Sequence, residues 1–149
     1  GRSLRRAFTL IELLSVLVII GLLAGLAVPQ LRGLTDRARV ARAIGDLRVM
    51  TQALLVLDSL PASLAQVGFA GKLDPWGRPY VYYRFPPPVG NAPPAGTRKD
   101  RFLVPVNSRF DLYSVGADGQ SNLPFTAARS RDDVVVANDG GFYGLASKY

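Results

Sequence analysis

The chain has 149 residues, 48% of them hydrophobic, with 18 Lys and Arg against 11 Asp and Glu, and neither histidine nor cysteine. That suits one domain of ordinary size with a buriable core. It excludes disulfides, zinc–thiolate sites, thiol nucleophiles and a Ser-His-Asp triad, and leaves oxygen ligands and hard cations such as calcium or magnesium. The net charge of +7 brings nucleic acid or an anionic membrane into view as partners, according to where the charges lie.

Residues 1–7 are a short basic stretch carrying Arg2, Arg5 and Arg6. From Phe8 to Val28 the only polar side chains are Thr9, Glu12 and Ser15. As a helix this run spans roughly 31 Å, about the hydrocarbon thickness of a bilayer. It is too long for the apolar region of a cleaved secretory signal. Glu12, the only glutamate, stands where a carboxylate costs on the order of 3 kcal/mol unless it is paired or reaches the headgroups. Pro29 either bends the helix or ends it.

Leu31, Leu34, Ala38, Ala41, Ile44, Leu47, Met50, Leu54 and Leu57 recur at steps of three or four, and predict an amphipathic helix. Its other face carries Arg32, Asp36, Arg37, Arg39, Arg42, Asp46 and Arg48, which fits a solvated face with i,i+4 partners such as Arg42 and Asp46. One long helix is therefore expected from about Phe8 to Leu57, ending at the Asp58-Ser59-Leu60-Pro61 turn. Strands are expected at Tyr80–Phe85, Phe110–Val115 and Val134–Val136. Between the first two, Pro86-Pro87-Pro88, Pro93-Pro94 and Gly96 mark a long loop, with Arg98-Lys99-Asp100-Arg101 as a solvated charged patch. The fold class is α+β: a long helix, first half membrane-spanning and second half amphipathic, on a small antiparallel sheet with a C-terminal loop.

Ala7-Phe8-Thr9-Leu10-Ile11-Glu12-Leu13-Leu14 resembles the processing site of the type IV pilin superfamily, which includes the pseudopilins of type II secretion. The resemblance implies that a prepilin peptidase cuts between Ala7 and Phe8 and methylates the new amine. It implies that Glu12 neutralises the amine of a neighbouring subunit during assembly, a pairing that apolar surroundings demand. The family usually has glycine before the cut, where this chain has Ala7. Pro29 falls at the twenty-second mature position, where pilins commonly carry proline. Leader removal would leave 15 basic against 11 acidic groups.

Asp74-Pro75-Trp76-Gly77-Arg78-Pro79-Tyr80 is similar to the DPWG-x-PY stretch of the major pseudopilin of type II secretion. Phe110–Ser114 followed by Gly116-Ala117-Asp118-Gly119 resembles that family's second strand and G-x-DG turn. The long proline-rich loop departs from its short members. The resemblance implies calcium on Asp118 and on Asp133, which precedes the Val134 run as the family's aspartate precedes isoleucine, with Asp132 a third choice. The alternative is that Asp118 only closes its turn through an Asx hydrogen bond.

The organisation expected is a leader at 1–7, a membrane and assembly helix at 8–29, an amphipathic helix at 30–60 and a periplasmic domain at 61–149. The function implied is a structural subunit of a type II secretion pseudopilus in the inner membrane. Its partners would be further copies in a helical homopolymer, minor pseudopilins, the assembly platform, prepilin peptidase and lipid, with no nucleic acid. The alternative is a type IV pilin for adhesion, motility or DNA uptake. Asp132-Asp133 as an acid–base pair is disfavoured, because adjacent strand residues point to opposite faces, and no enzyme is expected.

Overall fold

Thr9 stops the chain just short of helical conformation and Leu10 begins a helix, α1 (Leu10–Leu55). In this computed structural model the described residues are 6–149; Arg2 and Arg5 of the expected leader lie outside them. α1 passes through Pro29, although a proline ring removes one backbone hydrogen bond and crowds the carbonyl four residues earlier. Gly1–Arg37 and Ala38–Tyr149 are two compact units, and α1 contributes to both.

Within the first unit the apolar run has no buried residue: Leu10, Leu17 and Leu26 are 75%, 64% and 72% exposed. Helix formation satisfies its backbone, so the unburied side chains are its remaining mismatch with water. The helix is long and apolar enough to cross a membrane.

In the second unit α1 buries Ala43, Leu47, Met50, Thr51 and Leu54, with Val40 and Ile44 half-buried against them. Ala38 and Ala41, expected on this stripe, are exposed. The predicted line takes four successive steps of three from Ala38 to Met50, and each falls about 60° short of a full turn, so it winds off the face. Asp46, expected to pair with Arg42, accepts a hydrogen bond from the Tyr80 hydroxyl at 2.7 Å and faces Lys72 at 3.5 Å. The charge thus lies on the helix flank next to the core.

Four strands follow: β1 (Val81–Arg84), β2 (Phe110–Ser114), β3 (Val134–Ala137) and β4 (Phe142–Leu145). They form one antiparallel sheet in the order β1-β2-β3-β4. Tyr82 stands opposite Leu112, Ser114 opposite Val134, and Val136 opposite Tyr143. β4 was not expected from sequence. Period-two alternation sends Phe110, Leu112, Val134 and Val136 to the α1 face. Val135 and Ala137 go to the other face, where Val106, Phe125 and Ala146 cover them. Buried on both faces, β3 reads as a continuous apolar run.

The loop between β1 and β2 corrects the expectation of a solvated charged patch. Lys99 is exposed, but Arg98 is 2% exposed. An arginine can be buried when its fork is paired and its plane stacked. Here the guanidinium lies 4.2 Å from the Tyr113 ring centroid and 5.1 Å from that of Phe125.

Candidate functional site

The first site is built by the start of α1. The Thr9 N–H donates to Glu12 Oε2 at 3.1 Å, and the Glu12 N–H donates to Thr9 Oγ1 at 3.2 Å. This is a reciprocal capping box, which satisfies two amides that have no partner inside the helix. The carboxylate also sits at the positive end of the helix dipole. The Ser15 hydroxyl donates back to the Ile11 carbonyl at 2.8 Å, which removes the other polar group of the run from need of water. Thr-x-x-Glu before an apolar run is legible in sequence as a cap, and this role of Glu12 was missed. Ala7 and Phe8 precede the helix and are exposed, Phe8 by 82%.

The second site lies where the two C-terminal motifs meet. Asp74 Oδ1 accepts the Trp76 and Arg78 amides at 3.0 and 2.8 Å, closing the Asp-Pro-Trp-Gly turn. Its Oδ2 accepts the Ser114 hydroxyl at 2.6 Å at the end of β2. The Arg78 guanidinium donates to the Gly116 carbonyl at 3.1 Å, so one motif holds the backbone of the other. Gly116 has φ +70°, and a Cβ there would lie 2.3 Å from the Asp132 carbonyl oxygen. Only glycine lets the two backbones approach so closely.

This approach brings one carboxylate oxygen each of Asp118, Asp132 and Asp133 within 4.8 Å of one another. The three side chains predicted for a cation are therefore together. Asp118 is exposed, Asp132 half-buried and Asp133 fully buried. Asp118 Oδ1 also accepts the Gln120 amide at 2.8 Å, so the Asx turn exists alongside the cluster. Asp132 Oδ2 accepts the Asp118 amide at 2.8 Å. Asp132 Oδ1 and Asp133 Oδ1 are buried without a hydrogen-bond partner among the described residues.

Desolvation pushes the Asp133 carboxyl up to about 6, against the lowering by Ser121 and Arg98. Desolvation also raises Asp132; the Asp118 amide opposes that and the Asp118 charge adds to it. Clustered, partly desolvated carboxylates with orphan oxygens are short of positive charge, and hard oxygen donors suit calcium. The cluster fits such an ion.

Arg98 is the residue sequence reasoning missed. Its Nη2 meets Asp133 Oδ2 at 2.9 Å, and Ser121 bonds both the guanidinium and the same carboxylate. Its backbone N–H donates to Asp111 Oδ2 at 2.7 Å. Asp111 Oδ1 in turn accepts from Asn107 at 3.0 Å. Asp111 and Asp139 thus bind loop backbone: Asp139 accepts the Ser108 amide at 2.8 Å.

The family model described as the prokaryotic N-terminal methylation motif matches residues 2–28. A type II secretion system core protein G of Pseudomonas aeruginosa is 35% identical over 144 residues, 80% of this chain and 88% of that protein. The protein of that name in Aeromonas hydrophila is 29% identical over 76% of this chain and 84% of its own length. The type IV major fimbrial protein FimA of Dichelobacter nodosus is 39% identical over 72 residues, which cover 47% of this chain and 46% of that protein. No solved structure matches the chain significantly.

Proposed function

The chain belongs to the type II secretion core protein G family, and from that premise we propose that it is the structural subunit of a pseudopilus. In this reading the apolar run of α1 crosses the inner membrane, with the basic leader cytoplasmic and the C-terminal domain periplasmic. Prepilin peptidase cuts between Ala7 and Phe8 and methylates the Phe8 amine. The subunits then leave the membrane and polymerise through their N-terminal helices, with minor pseudopilins and the assembly platform as partners, and the filament drives protein export across the outer membrane. The observation that carries this is the wholly unburied apolar run of α1, which requires lipid or other helices around it. The surface-pilus alternative is less favoured, because the FimA likeness covers under half of the chain.

Glu12 has two roles here, a cap within its own chain and a counter-charge for a neighbour's Phe8 amine. Gln is as good as Glu at this capping-box position but carries no charge. Glu12→Gln should therefore keep the helix start and lose filament assembly, while Glu12→Ala loses both. Assembly is read by crosslinked oligomer ladders, the helix start by hydrogen exchange of the Thr9 and Glu12 amides, and processing by mass analysis of the N-terminus. Normal ladders from the Gln variant would sink the ion-pair role. An unmethylated, uncut N-terminus would sink processing.

We further propose that Asp118, Asp132 and Asp133 hold calcium, the orphan oxygens of Asp132 and Asp133 supporting that assignment. The ion would supply the positive charge the cluster lacks and fix the loop between β2 and β3. Calcium should raise the melting temperature above that in chelator. Identical melts with and without calcium would refute it.

A further inference from the structure

Asp133 is shared between two directions. Its Oδ2 is held by Arg98 and Ser121, whereas its Oδ1 has no hydrogen-bond partner among the described residues and belongs to the cluster with Asp118 and Asp132. Both side chains of the ion pair are removed from water, at 2% and 0% exposure. Arg98 comes from the long proline-rich loop between β1 and β2. Residues outside the loop hold it at both ends: Asp111 of β2 accepts the backbone amide, and the Tyr113 and Phe125 rings lie against the guanidinium. The three carboxylates and the guanidinium bonded to Asp133 sum to two negative charges, which a single divalent cation neutralises; the Arg78 guanidinium at the same turn is engaged instead with the Gly116 and Ala117 carbonyls. Without the Arg98 guanidinium the excess is three, and Asp133 faces the interior with no counter-charge. A buried carboxylate in that state strongly opposes folding.

We propose, on the calcium assignment made above, that Arg98 is a built-in counter-ion that shares Asp133 with calcium and keeps the C-terminal domain folded when calcium is absent. Calcium and Arg98 then satisfy opposite oxygens of one carboxylate, and each relieves the loss of the other. Arg98 lowers the dependence of the fold on calcium without taking calcium's place on Asp118 and Asp132.

The test compares the full-length chain in detergent, wild type and Arg98→Met, melted in calcium and in EDTA by near-ultraviolet circular dichroism. The wild type should show a measurable calcium increment of up to about 5 °C, and R98M an increment of roughly 10 °C or more, most of the difference arising in EDTA. Equal non-zero increments in both proteins would overturn the Arg98 role and leave the calcium site standing. No increment in either would overturn the calcium assignment itself. Arg98→Gln, which keeps a hydrogen-bonding end and loses the charge, is run beside R98M and should show the same widened increment. Failure of both variants to fold even in saturating calcium would show that the ion cannot relieve the loss of Arg98, and would also overturn the proposal.

Discussion

Asp133 carries opposing demands at the scale of one side chain. Burial raises its carboxyl to about 6, from an ordinary 3.8, even though Arg98 and Ser121 favour the ionised form. The folded chain therefore holds this proton more tightly than the unfolded chain does. Asp133 contributes stability in full below its unfolded value, and that contribution is lost as pH rises through about 6. From pH 7 to pH 5 the metal-free protein should gain on the order of 1 kcal/mol from this group, a few degrees in melting temperature. Asp111 and Asp132 are also raised by burial and push the same way, so the comparison needed is with Asp133→Asn. The wild-type curve should climb more steeply than the variant's as pH falls. Parallel curves would mean that the buried carboxyl titrates at its ordinary value.

At the scale of elements, the two motifs either side of the proline-rich loop act as one clamp. Arg78 leaves the Asp-Pro-Trp-Gly turn and donates to the Gly116 and Ala117 carbonyls, at 3.1 and 3.5 Å. Arg78→Met should cost about 1.5–3 kcal/mol, the range for hydrogen bonds involving a charged group. It should also weaken calcium binding by loosening the turn that carries Asp118. Unchanged calcium affinity in a destabilised R78M would separate the clamp from the cation site. Motifs of this kind are legible in sequence because their turns are local: Asp-Pro, Gly-x-Pro and Gly-Ala-Asp-Gly encode their own geometry. β1, β2 and β3 were legible for the same reason, as aromatic and β-branched runs. β4 was not, because Gly144 interrupts four residues. Yet Asn138-Asp139-Gly140-Gly141, with Asn138 and Asp139 at φ 52° and 54°, is the hairpin signal that precedes it. Arg98 was beyond reach. Its partners Ser121 and Asp133 lie 23 and 35 residues away, and nothing local distinguishes a buried arginine from its exposed neighbour Lys99.

At the scale of the whole molecule, exposed apolar side chains on α1 have different consequences in the two units. Val18 and Ile19 stand in the apolar run of the first unit at 60% and 56% exposure. Val49 is 58% exposed on the part of α1 in the second unit, with Asp46 and Gln52 three residues to either side and the buried stripe already covered. By exposure alone the three are alike. If lipid holds the run, arginine at its centre meets a penalty of about 3 kcal/mol per residue on insertion scales, so Val18→Arg with Ile19→Arg faces about 6 kcal/mol. Val49→Arg replaces a solvated valine with a good helix former and should be nearly neutral. In membrane flotation, wild type and V49R should rise with the vesicles, and the double variant should remain at the bottom. A double variant that floats like the wild type would mean that bilayer insertion is not what satisfies this helix, and that contact with other protein helices accounts for its apolar surface instead.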